Sequence, residues 1–157
     1  MDHELFMREA LKEAKKGYAI EEVPVGAVLV KEGKIIARGH NQVELLQDAT
    51  AHAEMICLTA GAGALGNWRL EECTLYCTLE PCCMCAGALL NARVKALVWG
   101  APDLRVGANG SWIDLFKEKH PIHTLEIIPR ILEAECAEWM RKFFQEQRRK
   151  KQPCPTH

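Results

Sequence analysis

The sequence predicts a three-layer α/β/α domain around a central five-stranded mixed sheet. Three observations carry this. Apolar residues follow a helical period at both ends of the chain and strand-like runs between. Strand-like and helix-like runs alternate, the order of an α/β fold. A lysine- and glycine-bearing turn over residues 31–34 joins the first two strand-like runs as a hairpin, so at least one pairing is antiparallel.

Each element has its own signal. Residues 2–16 carry Leu5, Phe6, Ala10, Leu11 and Ala14 at helical spacing, with Glu and Lys between them, and Gly17 as the expected stop. Residues 23–30 are apolar throughout and read as a buried strand; residues 34–38 return as its partner. Residues 39–50 show no period and read as a loop. A second helix is expected from Ala51 to about Ala60, capped by Thr50 or Asp48, with His52 and Glu54 in its first turn. Residues 61–67 are glycine-rich and loop-like. Residues 73–78 form the third strand. A third helix starts at the Pro81-Cys82 corner and ends near Asn91. Residues 94–99 are the fourth strand, and residues 100–110 a long loop. A short helix is expected over residues 111–116, and a last strand over 124–128. The closing helix runs from Ile131 to about Gln147, with Leu132, Cys136, Trp139, Met140, Phe143 and Phe144 on its apolar side. Residues 1–147 thus read as one domain, and 148–157 as a basic tail that frays.

Composition narrows the function. The chain has 157 residues, 48% of them hydrophobic, which is enough for a proper core. Its formal net charge is −1, so any contact with nucleic acid must come from a local patch. No stretch approaches the roughly 20 apolar residues of a membrane span. The acidic start, Met1 to Glu4, has no apolar run behind it, so no secretory leader is expected. The eight cysteines, at 57, 73, 77, 82, 83, 85, 136 and 154, therefore read as thiols or metal ligands in a reducing cytoplasm.

The chemistry sits in Pro81-Cys82-Cys83-Met84-Cys85. Two cysteines three apart at a helix start share one face. The positive end of the helix dipole lowers their thiol pKa. His52, 30 positions before Cys82, offers a third ligand. Three protein ligands leave one tetrahedral position of a zinc ion open, as catalytic sites do; structural sites close it with a fourth side chain. Glu54, two residues past His52, is placed to move protons without being a ligand. This pairing of His-x-Glu with Pro-Cys-x-x-Cys is the known signature of zinc nucleobase deaminases.

Further blocks fall in order along residues 3–147: Glu22-Val23-Pro24-Val25-Gly26-Ala27-Val28, Asn41, Thr50-Ala51-His52-Ala53-Glu54, Arg69-Leu70, Thr74-Leu75-Tyr76, Leu79-Glu80-Pro81-Cys82, Met84-Cys85-Ala86-Gly87-Ala88 and Gly107-Ala108-x-Gly110-Ser111. With them the chain resembles the bacterial tRNA-specific adenosine deaminases, which convert the wobble adenosine of an anticodon loop to inosine. The resemblance implies a cytidine deaminase-like fold and one Zn2+ per subunit, held by His52, Cys82 and Cys85, with no organic cofactor. It implies Glu54 as proton shuttle and Asn41 as a contact to the flipped nucleoside. It puts Asp103 and Arg105 near the RNA strand and His123 at the pocket rim. It implies a homodimer acting on a tRNA anticodon stem-loop. The chain departs from the family at Ala49, where a proline is usual, and at Ile122, where an asparagine is usual.

Two other readings stand beside this one. A deaminase of free guanine, cytosine or their nucleosides would share all the metal chemistry, but has no use for the Gly107–Ser111 block or the basic run Arg141, Lys142, Arg148, Arg149, Lys150 and Lys151. A non-catalytic, zinc-stabilised RNA-binding module would close its site with Cys73 and Cys77 and leave Glu54 idle.

Overall fold

The computed structural model describes residues 1–151. Helix α1 spans His3–Ala19, strand β1 Gly26–Lys31 and strand β2 Lys34–His40. A single turn, α2, covers Val43–Leu46, and α3 covers Ala53–Leu65. Strand β3 is Cys73–Leu79, α4 is Cys83–Asn91, and β4 is Ala96–Ala101. A short β5, Glu126–Ile128, precedes the long α5, Glu133–Lys151.

The five strands form one mixed sheet in the order β2-β1-β3-β4-β5. Strand β1 runs antiparallel to both neighbours, while β3, β4 and β5 are parallel. The two-residue alternation of strands divides the core. Val28, Val30, Tyr76 and Val98 face α1 and α5, where Phe6, Met7, Ala10, Leu11 and Cys136 meet them. Ala27, Leu29, Leu75, Cys77, Leu97 and Trp99 point the other way, toward Cys57 and Leu58 of α3 and Leu89 and Leu90 of α4. Three layers result, as expected. Because β2, β3 and β4 all point one way, α3 and α4 begin at one edge of the sheet, where open α/β folds bind ligands.

Several boundaries differ from expectation, each for a packing reason. Gly17 does not stop α1; it is buried inside it, and the helix ends two residues later, with the Ile20 N–H donating to the Gly17 carbonyl and the Glu21 N–H to that of Tyr18. The start of α1 is capped by the Asp2 carboxylate, which accepts from the Leu5 N–H at 3.1 Å. The expected loop over 61–67 is mostly helix: α3 continues through Gly61, which is buried against Leu29, and ends at Gly66. Packing on the sheet outweighs the weak helix propensity of glycine. Residues 111–116 form turns closed by a bridge between Asn109 and Asp114, and no helix. Helix α5 starts after Arg130 and Leu132, both in the left-handed region. It runs to Lys151, so residues 148–151 of the expected tail are helical; residues 152–157, with Cys154, lie outside the described residues.

Candidate active site

The site forms where α3 and α4 begin. His52 is the residue just before α3, with φ −73° and ψ 152°, and Cys82 just before α4, with φ −76° and ψ 176°. His52 thus sits one step ahead of the first turn expected for it. In this extended position the side chain projects off the helix end. Neither side chain caps its own helix. They turn toward each other instead. His52 Nδ1 lies 3.6 Å from Cys82 Sγ and 3.5 Å from Cys85 Sγ, one helical turn further on.

These distances test the fit of a zinc ion. Tetrahedral zinc holds nitrogen at about 2.0–2.1 Å and sulfur at about 2.3 Å, which places the two ligand atoms about 3.5 Å apart. The observed spacing matches. The three ligand atoms lie within 4.8 Å of one another, and no fourth His, Cys, Asp or Glu joins the group among the described residues. Cys73 and Cys77 pack into the core instead, on the face of β3 toward α3 and α4. Cys83 is half-buried and outside the group.

The electrostatics suit metal binding. A hydrogen bond from the Cys85 thiol, joined by His52, holds Cys82 well below the usual thiol range. The same bond, with burial, pushes Cys85 up, so the pair shares one proton. The bond to Cys82 raises His52. Two helix N-termini point their positive ends at this cluster and favour its negative charge. Glu54, in the first turn of α3, is 4% exposed. Burial raises its pKa, which favours the protonated carboxyl.

A cavity of about 750 Å³ opens above these residues. His52, Glu54 and Cys82 line it together with Asn41, Asp103 and Arg105, so the structure brings seven of the eight expected residues to one place, counting Cys85 behind Cys82. Asn41 is buried and donates its amide to the Glu22 carboxylate at 3.3 Å. Arg105 lies over the Phe144 ring, 4.9 Å from its centroid, and 3.7 Å from the Asp103 carboxylate. His123 is the exception. Its ring bonds to the Val94 carbonyl at 2.7 Å, and it does not line the cavity. The cause is topological. Strand β5 is parallel to β4 and pairs Glu126 with Ala96, so the chain must return to the start of β4 before β5 begins. His123 therefore sits at the opposite sheet edge from His52.

The chain matches the model of the cytidine and deoxycytidylate deaminase zinc-binding region over residues 1–101. It is 50% identical to the tRNA-specific adenosine deaminase of Bacillus subtilis, over 94% of this chain and 92% of that protein. The chain belongs to the tRNA-specific adenosine deaminases. It is also 59% identical to the chloroplastic tRNA(adenine(34)) deaminase of Arabidopsis thaliana, over 90% of this chain, and spans only 12% of that much longer protein. A solved structure from studies of A-to-I editing by tRNA:A34 deaminases superposes with a TM-score of 0.82 at 42% identity, covering 85% of this chain and 97% of that one. The deaminase fold expected from the motifs is thus the fold observed.

Two acidic residues within the motif blocks have no role assigned by the motifs, yet they hold the walls of the cavity together. Glu22 fixes the Asn41 amide and also accepts the Leu45 N–H at 2.7 Å. Glu80 gathers the loop that carries Asp103 and Arg105. In the sequence each shows only as an acidic residue beside an apolar run. Met140, Phe143 and Phe144, read as core of the last helix, line the cavity.

Proposed function

We propose that this protein deaminates adenosine to inosine at the wobble position of a tRNA anticodon loop, through one Zn2+ per subunit. The observation that carries the reading is a buried carboxyl, Glu54, beside three converging ligands at the floor of a cavity roomy enough for a nucleoside. His52, Cys82 and Cys85 would hold the zinc, which when bound supplies the Lewis acidity that makes water a nucleophile at neutral pH. The reaction replaces the C6–N6 bond by a C6–O bond and releases ammonia. Glu54 takes a proton from the attacking water, passes it to N1, and serves the departing amine. Burial keeps that proton on Glu54 until the ring requires it. Asn41, its amide plane set by Glu22, binds the sugar or base edge of the flipped nucleoside.

Around the mouth, Arg105, Lys150 and Lys151 are cationic. They suit the phosphates of a single-stranded loop. Asp103 and Arg105 flank the RNA strand. His123, at the far edge, takes no part in the pocket of its own chain. A homodimer, and a cytoplasmic setting for a domain over residues 1–147, complete the proposal; no helix among the described residues is long and apolar enough to cross a membrane.

The test is sequencing of transcribed tRNA for inosine after incubation with purified protein, beside free adenosine, cytidine and guanine. Inosine at the wobble position supports the proposal. Turnover confined to a free base or nucleoside overturns it.

A further inference from the structure

We propose that Glu80 is a positioning residue that ties the substrate-facing loop over residues 102–111 to the metal-ligand corner. The proposal rests on the deaminase reading above in one respect: the loop's cargo, Asp103 and Arg105, is taken to face the substrate.

Glu80 follows β3 directly and precedes Pro81 and Cys82. It is 2% exposed. Its Oε1 accepts the Asp103 N–H at 3.1 Å and the Ser111 hydroxyl at 2.5 Å. Its Oε2 accepts the Asn109 N–H at 2.8 Å and the Ser111 N–H at 3.3 Å. All four donors come from one loop, and no lysine, arginine or histidine pairs with this carboxylate among the described residues. The loop closes over the group so tightly that a Cβ at Gly107 would overlap the carboxylate. Backbone bonds complete the seam: Ala108 N–H donates to the Pro81 carbonyl at 2.8 Å, and Glu80 N–H to that of Ala101 at 2.8 Å.

An acceptor with four lone-pair sites is what four converging donors require; an amide offers two. Rigid Pro81 then fixes the carboxylate relative to Cys82. The loop's register is thereby set from the metal corner, and with it the placement of Asp103, Arg105 and Val106 on the cavity wall. Glu80 also lines the cavity beside Cys82, but all four hydrogen bonds of its carboxylate among the described residues go to the loop and none to a ligand atom, so it acts through the loop.

Glu80→Gln keeps the shape and removes one acceptor end, which sets an amide N–H against backbone N–H groups. The zinc-loaded variant is compared with the zinc-loaded parent by hydrogen exchange and by steady-state kinetics on tRNA. Expected is exchange at the amides of 103–111 faster by about tenfold or more, unchanged exchange in β3 and α4, and unchanged zinc content. KM for tRNA rises by about tenfold or more while kcat falls less. Ser111→Ala, which deletes one donor of the four, gives the same pattern in weaker form and serves if the glutamine variant does not fold. Unchanged loop exchange overturns the proposal, as does a loss confined to kcat with loss of zinc. If the parent protein itself forms no inosine in tRNA, the proposed function fails, and the exchange measurement still decides the role of Glu80.

Discussion

The amide of Asn41 donates to the buried carboxylate of Glu22 at 3.3 Å, and Glu22 in turn accepts the Leu45 N–H. A loop asparagine is thereby held as rigidly as a core residue, with both groups less than a tenth exposed. The substitution Glu22→Gln leaves one of these two donors facing an amide N–H. Stability is expected to fall by about 1–3 kcal/mol, the cost of a buried donor left without its acceptor. Denaturant unfolding of the zinc-loaded protein measures it. The KM for tRNA should rise at the same time, because Asn41 loses its fixed plane.

Glu54→Gln separates binding from chemistry. The amide fills the same buried space but cannot carry a proton between water, ring nitrogen and leaving amine. Zinc content is expected to match the parent protein, because Glu54 is outside the ligand group. Inosine formation should fall by at least about 10²-fold, the usual worth of a general acid–base group. Metal analysis together with inosine sequencing checks both halves. Normal deamination by this variant removes the proton shuttle from the mechanism.

Much of this was legible in the sequence because the chemistry is local. A histidine, a glutamate and two cysteines at fixed spacing each occupy a helix start, and helix starts are set by short-range signals. The five strands were legible for the same reason, as short apolar runs. What could not be read is long-range. Gly61 looks like a helix breaker until Leu29 is seen packed on it. His123 looks like a rim residue until the parallel pairing of β5 forces the chain back to the far edge of the sheet. Glu22 and Glu80 show their roles only once the loops that donate to them, far along the chain, have folded over them.

Cys73 and Cys77 provide a test between enzyme and zinc-closed module. Both are fully buried in β3, and burial raises both thiols, so they stay protonated. Neither sulfur belongs to the ligand group; both pack on the core face of β3. The double variant Cys73→Ser/Cys77→Ser is expected to keep its zinc while losing about 1–3 kcal/mol of stability per buried hydroxyl without a partner. Atomic absorption on the purified variant decides it; loss of the metal would favour the closed site.

Zinc loading should release protons, and the direction follows from the cluster. Near neutral pH Cys82 is already a thiolate, Cys85 is a thiol, and His52 has its pKa raised above that of an ordinary imidazole. Ligation needs both thiolates and a neutral ring. Adding zinc to metal-free protein at pH 7 is therefore expected to liberate at least about one proton, from Cys85, and part of another from His52. Affinity weakens as pH falls, because protons at higher concentration compete better with zinc for Cys82, Cys85 and His52. Titration in weak buffer with a pH indicator measures the release. Zinc uptake without any proton release would mean that Cys85 is not a ligand.

The last prediction joins fold to site. Strand β2 presses its Gly39 against the start of α3: a Cβ there would lie 2.7 Å from the Ala53 carbonyl oxygen and 3.0 Å from the Cys57 nitrogen. Both contacts are to backbone, so no side chain can swing aside to make room. Gly39→Ala must move the first turn of α3 away from the sheet, and His52 and Glu54 ride on that turn. The stability cost is expected to be about 1–3 kcal/mol, typical of an extra methyl forced into a packed core. Zinc affinity should fall as well, by about tenfold or more, because His52 loses its alignment with Cys82 and Cys85. The control is Gly63→Ala, in the same helix, where an added Cβ meets nothing within 4 Å. It is expected to leave zinc affinity unchanged and, by improving helix propensity, to raise stability by about 0.5–1 kcal/mol. Competition with a chromophoric chelator, read beside thermal unfolding, separates the two variants; equal zinc affinity in both would show that β2 does not set the position of His52.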